Sequence, residues 1–187
     1  YRGRSLVIRK IEPSEVATVS KERSTVAIFA VEPAPESGRV KRWRVIYPGR
    51  ARVTRPEMDT YVVSVSIAEK TNWFNGDSYI DLLNPKVTKE FLKCTHEAYR
   101  ERFGRDFGEF MPGIFTDEPN YRSGGVAPWT EEFPAYFKKV NGYDLLKQIP
   151  LLFFDADRCE KVRYDFWRTM TRRFVESFSI PIYKWCE

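Results

Sequence analysis

The sequence predicts an α/β fold, with a β-rich first third followed by helices around a parallel sheet. Three observations lead there. Between Ser5 and about Ile67 the apolar residues come in short β-branched runs separated by turn clusters. Beyond Glu69 they recur every three or four positions, as on the face of a helix. The later segments run helix, strand, loop, helix, helix, an order that belongs to α/β proteins rather than to bundles.

The strands are SLVIRKI, STVAIFAVE, VKRWRVIY and TYVVSVSIAE, punctuated by EPSE, EPAPESGR and YPGR. The four runs, from Ser5 to about Ile67, together predict a small antiparallel sheet or a barrel-like insertion, with units expected over 1–58 and 59–187. A loop rich in Asn, Gly and aromatic residues follows, KTNWFNGDSYIDLLNP. Asn84 then offers a helix cap and Pro85 suits the first helical position. Val87, Phe91, Cys94 and Ala98 mark the stripe of that helix, and Gly104 or Gly108 ends it. MPGIFTDEP predicts a short buried strand. WTEEFPAYFKKVNGYDLL predicts a helix closed by Asn141 and Gly142. A longer helix from about Asp157 carries Val162, Phe166, Met170 and Phe174 on one side.

Composition bounds the function. The 187 residues suit one ordinary domain or somewhat more, and 14 Phe, 10 Tyr and 5 Trp supply either a large core or a groove lining. No apolar run is long enough to span a membrane and no signal-peptide pattern opens the chain, so no membrane partner is expected. The three cysteines, Cys94, Cys159 and Cys186, form no CxxC pair. Reduced, buried thiols and a cytoplasmic location are the expectation. The net charge of +5 is uneven, with 14 Lys and Arg against 8 acids in residues 1–70. The start at Tyr1 and the end inside a helical pattern are those expected of a piece of a larger protein.

Two stretches carry candidate chemistry. In GIFTDEP a strand's period of two would put Ile114, Thr116 and Glu118 on one face, Phe115 and Asp117 on the other. Glu118 would then stand at a strand's C-terminal end, where parallel α/β folds hold their active sites, and aromatic neighbours would raise its pKa toward that of a general acid. The competing reading is a solvated turn leading to Pro119. In NWFNGDSYIDLLNP, the residues Asn72, Trp73, Asn75, Asp77, Tyr79 and Asp81 alternate amides, carboxylates and rings. Sugars need that mixture, because C–H faces stack on rings and hydroxyls pair with Asn and Asp. A tight loop with self-satisfied Asn and Asp, and with Trp73 and Phe74 plugging the core, is the competing reading.

The segment GRVKRWRVIYPGRARVTRP interleaves seven basic residues with Trp43 and Tyr47, as single-stranded nucleic-acid platforms do. A solvated strand face with buried rings explains it equally, and no nucleic-acid partner is expected. P-loop and GxSxG motifs are absent, and kinase-like fragments such as DFG at Asp106 lack their partner motifs. The single histidine, His96, sits mid-helix with no nucleophile elbow near it, so it reads as a packing or helix-surface residue.

Taken together, residues 72–187 resemble the middle of glycoside hydrolase family 106, the α-L-rhamnosidase-type proteins, and related family-2-like glycoside hydrolases. The likeness is carried by NWFNGDSYIDLLNP, FTDEPNY, PWTEEFPAYFKKVNGYDLL and KVRYDFWRTMTRRFVESFSIPIYKWCE. It implies that the chain is an internal fragment, with residues 59–187 part of a (β/α)8 TIM barrel interrupted by a β-rich insertion. It implies Glu118 as general acid with Asp117 beside it, and a carbohydrate substrate against Asn72, Trp73, Asn75, Tyr79, Asp81 and Tyr121. Calcium near the sugar is implied too, with Asp77 or Asp81 as ligands, and otherwise no cofactor. Asp117 and Glu118 are adjacent, whereas hydrolysis needs two carboxylates across the bond, about 5–10 Å apart. The resemblance places the second carboxylate beyond Glu187, so turnover is not expected of this piece alone. The expected function is therefore that of a glycoside hydrolase, with a non-catalytic carbohydrate-binding protein as the alternative.

Overall fold

A computed structural model describes residues 1–34, 37, 39–49, 57–121 and 125–187. Four of its strands are the four predicted runs: β1 Arg4–Ile11, β2 Thr25–Ala34, β3 Arg39–Tyr47 and β4 Asp59–Ile67. A two-residue strand, β5 Ala127–Pro128, completes a curled, half-barrel sheet in the order β3-β2-β4-β1-β5. Residues on both sides of position 58 thus share one sheet.

Alternation along the strands sorts the side chains into two cores. Leu6, Ala27, Phe29, Val31 and Val63 face the helices, while Ile11, Ile28, Ala30, Ile46 and Val62 face a smaller cluster closed by Val19. β2 is buried on both faces, which is why its apolar run is nearly continuous. Val19 comes from a short helix, α1 Val16–Val19, where the sequence reads only as a turn. A 3-10 turn, Pro13–Glu15, leads into it, closed by the Glu12 amide donating to Glu15 Oε2 at 2.8 Å.

The helices follow their punctuation. Asn84 Oδ1 accepts from the Lys86 amide and starts α2 Pro85–Phe91. That helix widens into a π-helical stretch, Leu92–Glu97, and continues as α3 Ala98–Phe103. α4 Phe133–Asn141 ends on Gly142, whose φ of 79° is left-handed, and α5 Leu145–Gln148 follows under an Asp144 cap. α6 Cys159–Phe174 buries Val162, Phe166 and Met170, then passes through a second π-helical stretch, Val175–Ser179, into α7 Ile180–Cys186. Phe133 meets Phe166 edge-on at 5.3 Å at the centre of the helix-side core.

The parallel sheet and the (β/α)8 TIM barrel are corrected by this topology. Every pairing among the strands is antiparallel. β4 pairs with β1 over eight residues, from Arg4 opposite Ile67 to Ile11 opposite Thr60, and with β2 on its other side. Both edges of β4 are therefore occupied, and no parallel neighbour can join it through a helical crossover. The second edge of β1 goes to β5. MPGIFTDEP consequently has no strand beside it, and the buried strand expected there is an irregular, exposed segment in which Phe115 is 84% exposed. The expectation of buried thiols holds for Cys159 only; all three cysteines are free, and Cys94 and Cys186 are exposed. Among the described residues no helix is long and apolar enough to cross a membrane.

The β5 segment approaches β1 closely at Gly125, where an added Cβ would lie 2.6 Å from the Leu6 carbonyl oxygen and 2.4 Å from Ser5 Oγ. Gly125→Ala should therefore destabilise the protein by about 1–3 kcal/mol, the usual magnitude for overpacking against backbone. Gly113→Ala, where a Cβ meets nothing within 4 Å, is the control. Urea denaturation of the two variants checks this; equal midpoints would contradict the close approach.

Candidate functional site

A cleft of about 480 Å³ opens between the loop that follows β4 and the 117–120 segment. Local hydrogen bonding shapes the loop. The Phe74 and Gly76 amides donate to the Thr71 carbonyl at 3.1 and 3.0 Å, and the Thr71 amide donates to the Asp77 carbonyl at 2.8 Å. Two successive left-handed residues, Asn75 at φ 53° and Gly76 at φ 80°, close the turn. Asn and Gly are the residues that adopt this geometry readily. The turn pushes Trp73 outward, leaving it 88% exposed, while Phe74 tilts onto Tyr79 with ring centroids 5.4 Å apart.

The opposite wall is tied to this loop. Tyr79 Oη accepts from the Asn120 amide at 2.7 Å, which draws residues 117–120 toward the aromatic pair. Burial raises the Tyr79 phenol pKa, and the Asn120 bond partly offsets it. Glu118 has φ 38°, a left-handed conformation rare for a residue with a side chain and one found disproportionately at functional sites. Glu118 and Asp117 both line the cleft, and Glu69, just past the end of β4, is a third acid in it. Among the described residues no cation pairs with these three; the neighbouring Lys70 reaches Asp77 instead, at 3.1 Å.

The predicted site residues thus divide. Trp73, Tyr79, Asp117 and Glu118 are brought together. Asn72 and Asn75 are exposed in the turn and serve its backbone, Asn72 by accepting from the Asn75 amide at 3.1 Å. Tyr121 tilts against Phe174, with ring centroids 5.2 Å apart, and does not line the cleft. Asp81 turns inward. Only 6% exposed, it accepts from Thr130 Oγ1 at 2.7 Å and from the Leu83 amide at 3.1 Å. Glu69, Phe74 and Asn120 were missed. Glu69 had one faint signal, a position two residues beyond a strand end.

Among the described residues no group of three or more His, Cys, Asp or Glu side chains could hold a metal ion. Asp81 is bonded inside the protein and Asp77 to Lys70, so the two ligands suggested by the resemblance do not converge. The rings of the basic strand β3 are partly buried. Trp43 and Val45 pack on the helix-side core and Tyr47 on the smaller one, while Lys41 and Arg42 both reach Glu32. Arg39 reaches Asp157 and Arg44 is exposed, while Arg50, Arg52 and Arg55 beyond the strand lie outside the described residues. No protein-family model, curated protein or solved structure matches the chain.

Asp81 carries a pH dependence. Burial raises its carboxyl above the ordinary 3.8, with Thr130, Leu83, Arg4 and Arg173 partly opposing. The folded state therefore holds this proton more tightly than the unfolded chain does. The associated stability is whole below pH 3.8 and is lost as pH rises through the raised value. Asp81→Asn cannot titrate, so the stability difference between the native protein and the variant should shift in the variant's favour as pH rises from acid to neutral. Urea midpoints across that range check it; a constant difference would contradict it.

Proposed function

We propose that the cleft binds carbohydrate and that the protein acts as a glycoside hydrolase through Glu118. The observation that carries this reading is the pairing of an outward-facing Trp73 ring with three carboxylates in one concavity. Flat indole stacks on the C–H face of a pyranose, and carboxylates accept from its hydroxyls. A protein core would have buried Trp73, which is instead 88% exposed.

In this reading Glu118 protonates the glycosidic oxygen as the bond breaks through an oxocarbenium-like transition state. Asp117, adjacent in sequence, holds a hydroxyl. The second carboxylate must stand across the bond, and Glu69 is the chain's own candidate because it enters from a different segment of the wall. The exposure of Asp117 and Glu118 favours one alternative, binding without turnover, since this chemistry is helped by a site closed to bulk water.

A panel of methyl and 4-nitrophenyl glycosides, α-L-rhamnosides among them, separates the two. Glu118→Gln should lower kcat on methyl glycosides by about 10²–10⁴-fold with KM retained, and lower it less on 4-nitrophenyl glycosides, whose leaving group needs no proton. Trp73→Ala should weaken binding in either case. Unchanged kcat in Glu118→Gln would remove the acid assignment. Binding with no cleavage by the native chain would leave the carbohydrate-binding reading.

A further inference from the structure

A second cavity, of about 510 Å³, lies between α3, α7 and the 107–116 segment, apart from the carbohydrate cleft. Its size is within the range of small-molecule sites, about 300–1,000 Å³. Phe107, Met111, Ile182 and Trp185 make it apolar, His96 lines it, and Arg100 stands among its polar lining.

His96 is the unusual member. It is 2% exposed, and its Nδ1 is buried without a hydrogen-bond partner. Buried polar atoms are nearly always satisfied, so such an orphan calls for a reason. Its ring is held edge-on by Phe91 at 5.1 Å and Trp185 at 4.9 Å. Trp185 is fixed in turn, its Nε1 donating to Glu97 Oε1 at 2.7 Å, and Glu97 also pairs with Arg100 at 2.6 Å. Burial lowers the His96 pKa, so near neutral pH the imidazole is uncharged and offers one donor and one acceptor. His96 lies in the π-helical stretch Leu92–Glu97, and α7, which carries Ile182 and Trp185, follows the other such stretch. Wide helical turns of this kind concentrate at functional sites.

We propose that this cavity binds a small aromatic carboxylic acid, its ring against Trp185 and Phe107, a ring hydroxyl at His96 and its carboxylate toward Arg100. The chemistry selects against the alternatives. A sugar would find one imidazole where it needs several hydrogen-bonding pairs. A bare anion would gain nothing from the rings. A metal ion lacks ligands, since no three suitable side chains converge among the described residues.

The probe is 4-hydroxybenzoate. Because His96 is the only histidine, its imidazole NMR signals are unambiguous. Saturable shifts of those signals are expected on titration. The same ligand should slow alkylation of Cys186, which is exposed and lines the cavity, but not of Cys94, which is exposed outside it. Phenol and cyclohexanecarboxylate, each lacking one recognised feature, should bind about tenfold or more weakly. His96→Phe removes the orphan nitrogen and keeps the ring contacts, so it should fold normally and protect Cys186 about tenfold less well at a given ligand concentration. Unmoved His96 signals, protection of Cys94 equal to that of Cys186, or undiminished protection in His96→Phe would each overturn the proposal.

Discussion

The loop that forms one wall of the cleft is anchored at Asp81, a buried residue whose main chain and carboxylate each tie down another segment. The Asp81 amide donates to the Tyr1 carbonyl at 2.9 Å, and the Gly3 amide to the Tyr79 carbonyl at 2.7 Å, so the chain before β1 is held here. The carboxylate takes Thr130 and thereby the segment after β5. Two residues on, the Leu83 carbonyl accepts from Arg173 Nε and from Ser177 Oγ, each at 3.0 Å, and fixes α6 and the turn beyond it. Removing a buried acceptor of this kind leaves its donors unsatisfied, at about 1–3 kcal/mol each. The 71–79 loop hangs between this anchor and the end of β4, which is how an exposed Trp73 can hold a defined position.

Much of the fold was legible because its signals are local. Asn84 before Pro85, and Asn141-Gly142 after α4, mark helix ends by satisfying or bending specific backbone groups, and those ends are where the structure has them. The four main strands were legible for the same reason, as β-branched runs between turn residues. Pairing is different. That Arg4 lies opposite Ile67 is a relation across more than sixty residues, and no local pattern expresses it. The element order after Glu69 favoured a parallel sheet, yet once β4 is taken on both sides by β1 and β2 that sheet cannot form. The barrel implied by the resemblance fails at the same point, and FTDEP, with no partner strand, stays irregular.

The site shows the same boundary. Trp73 and Tyr79 on one segment and Asp117 and Glu118 on another were each singled out by residue type, and the Tyr79–Asn120 hydrogen bond is what joins them. Asp81 belonged to the same polar string by composition. Whether its carboxylate faced a ligand or the interior turned on Thr130, forty-nine positions away, which the string does not contain. His96 reads as a packing or helix-surface residue, and burial between Phe91 and Trp185 decides for packing; its missing hydrogen-bond partner becomes visible only with those rings around it.

The central claim is that Trp73 and the acids around Glu118 form one carbohydrate-binding surface. The indole N–H signals of the five tryptophans, followed while glycosides are titrated into the protein, test it most directly. The account predicts that the Trp73 signal shifts saturably while those of the core residues Trp43 and Trp129 stay in place. A silent Trp73 across the panel, or shifts carried by Trp185 instead, would contradict it.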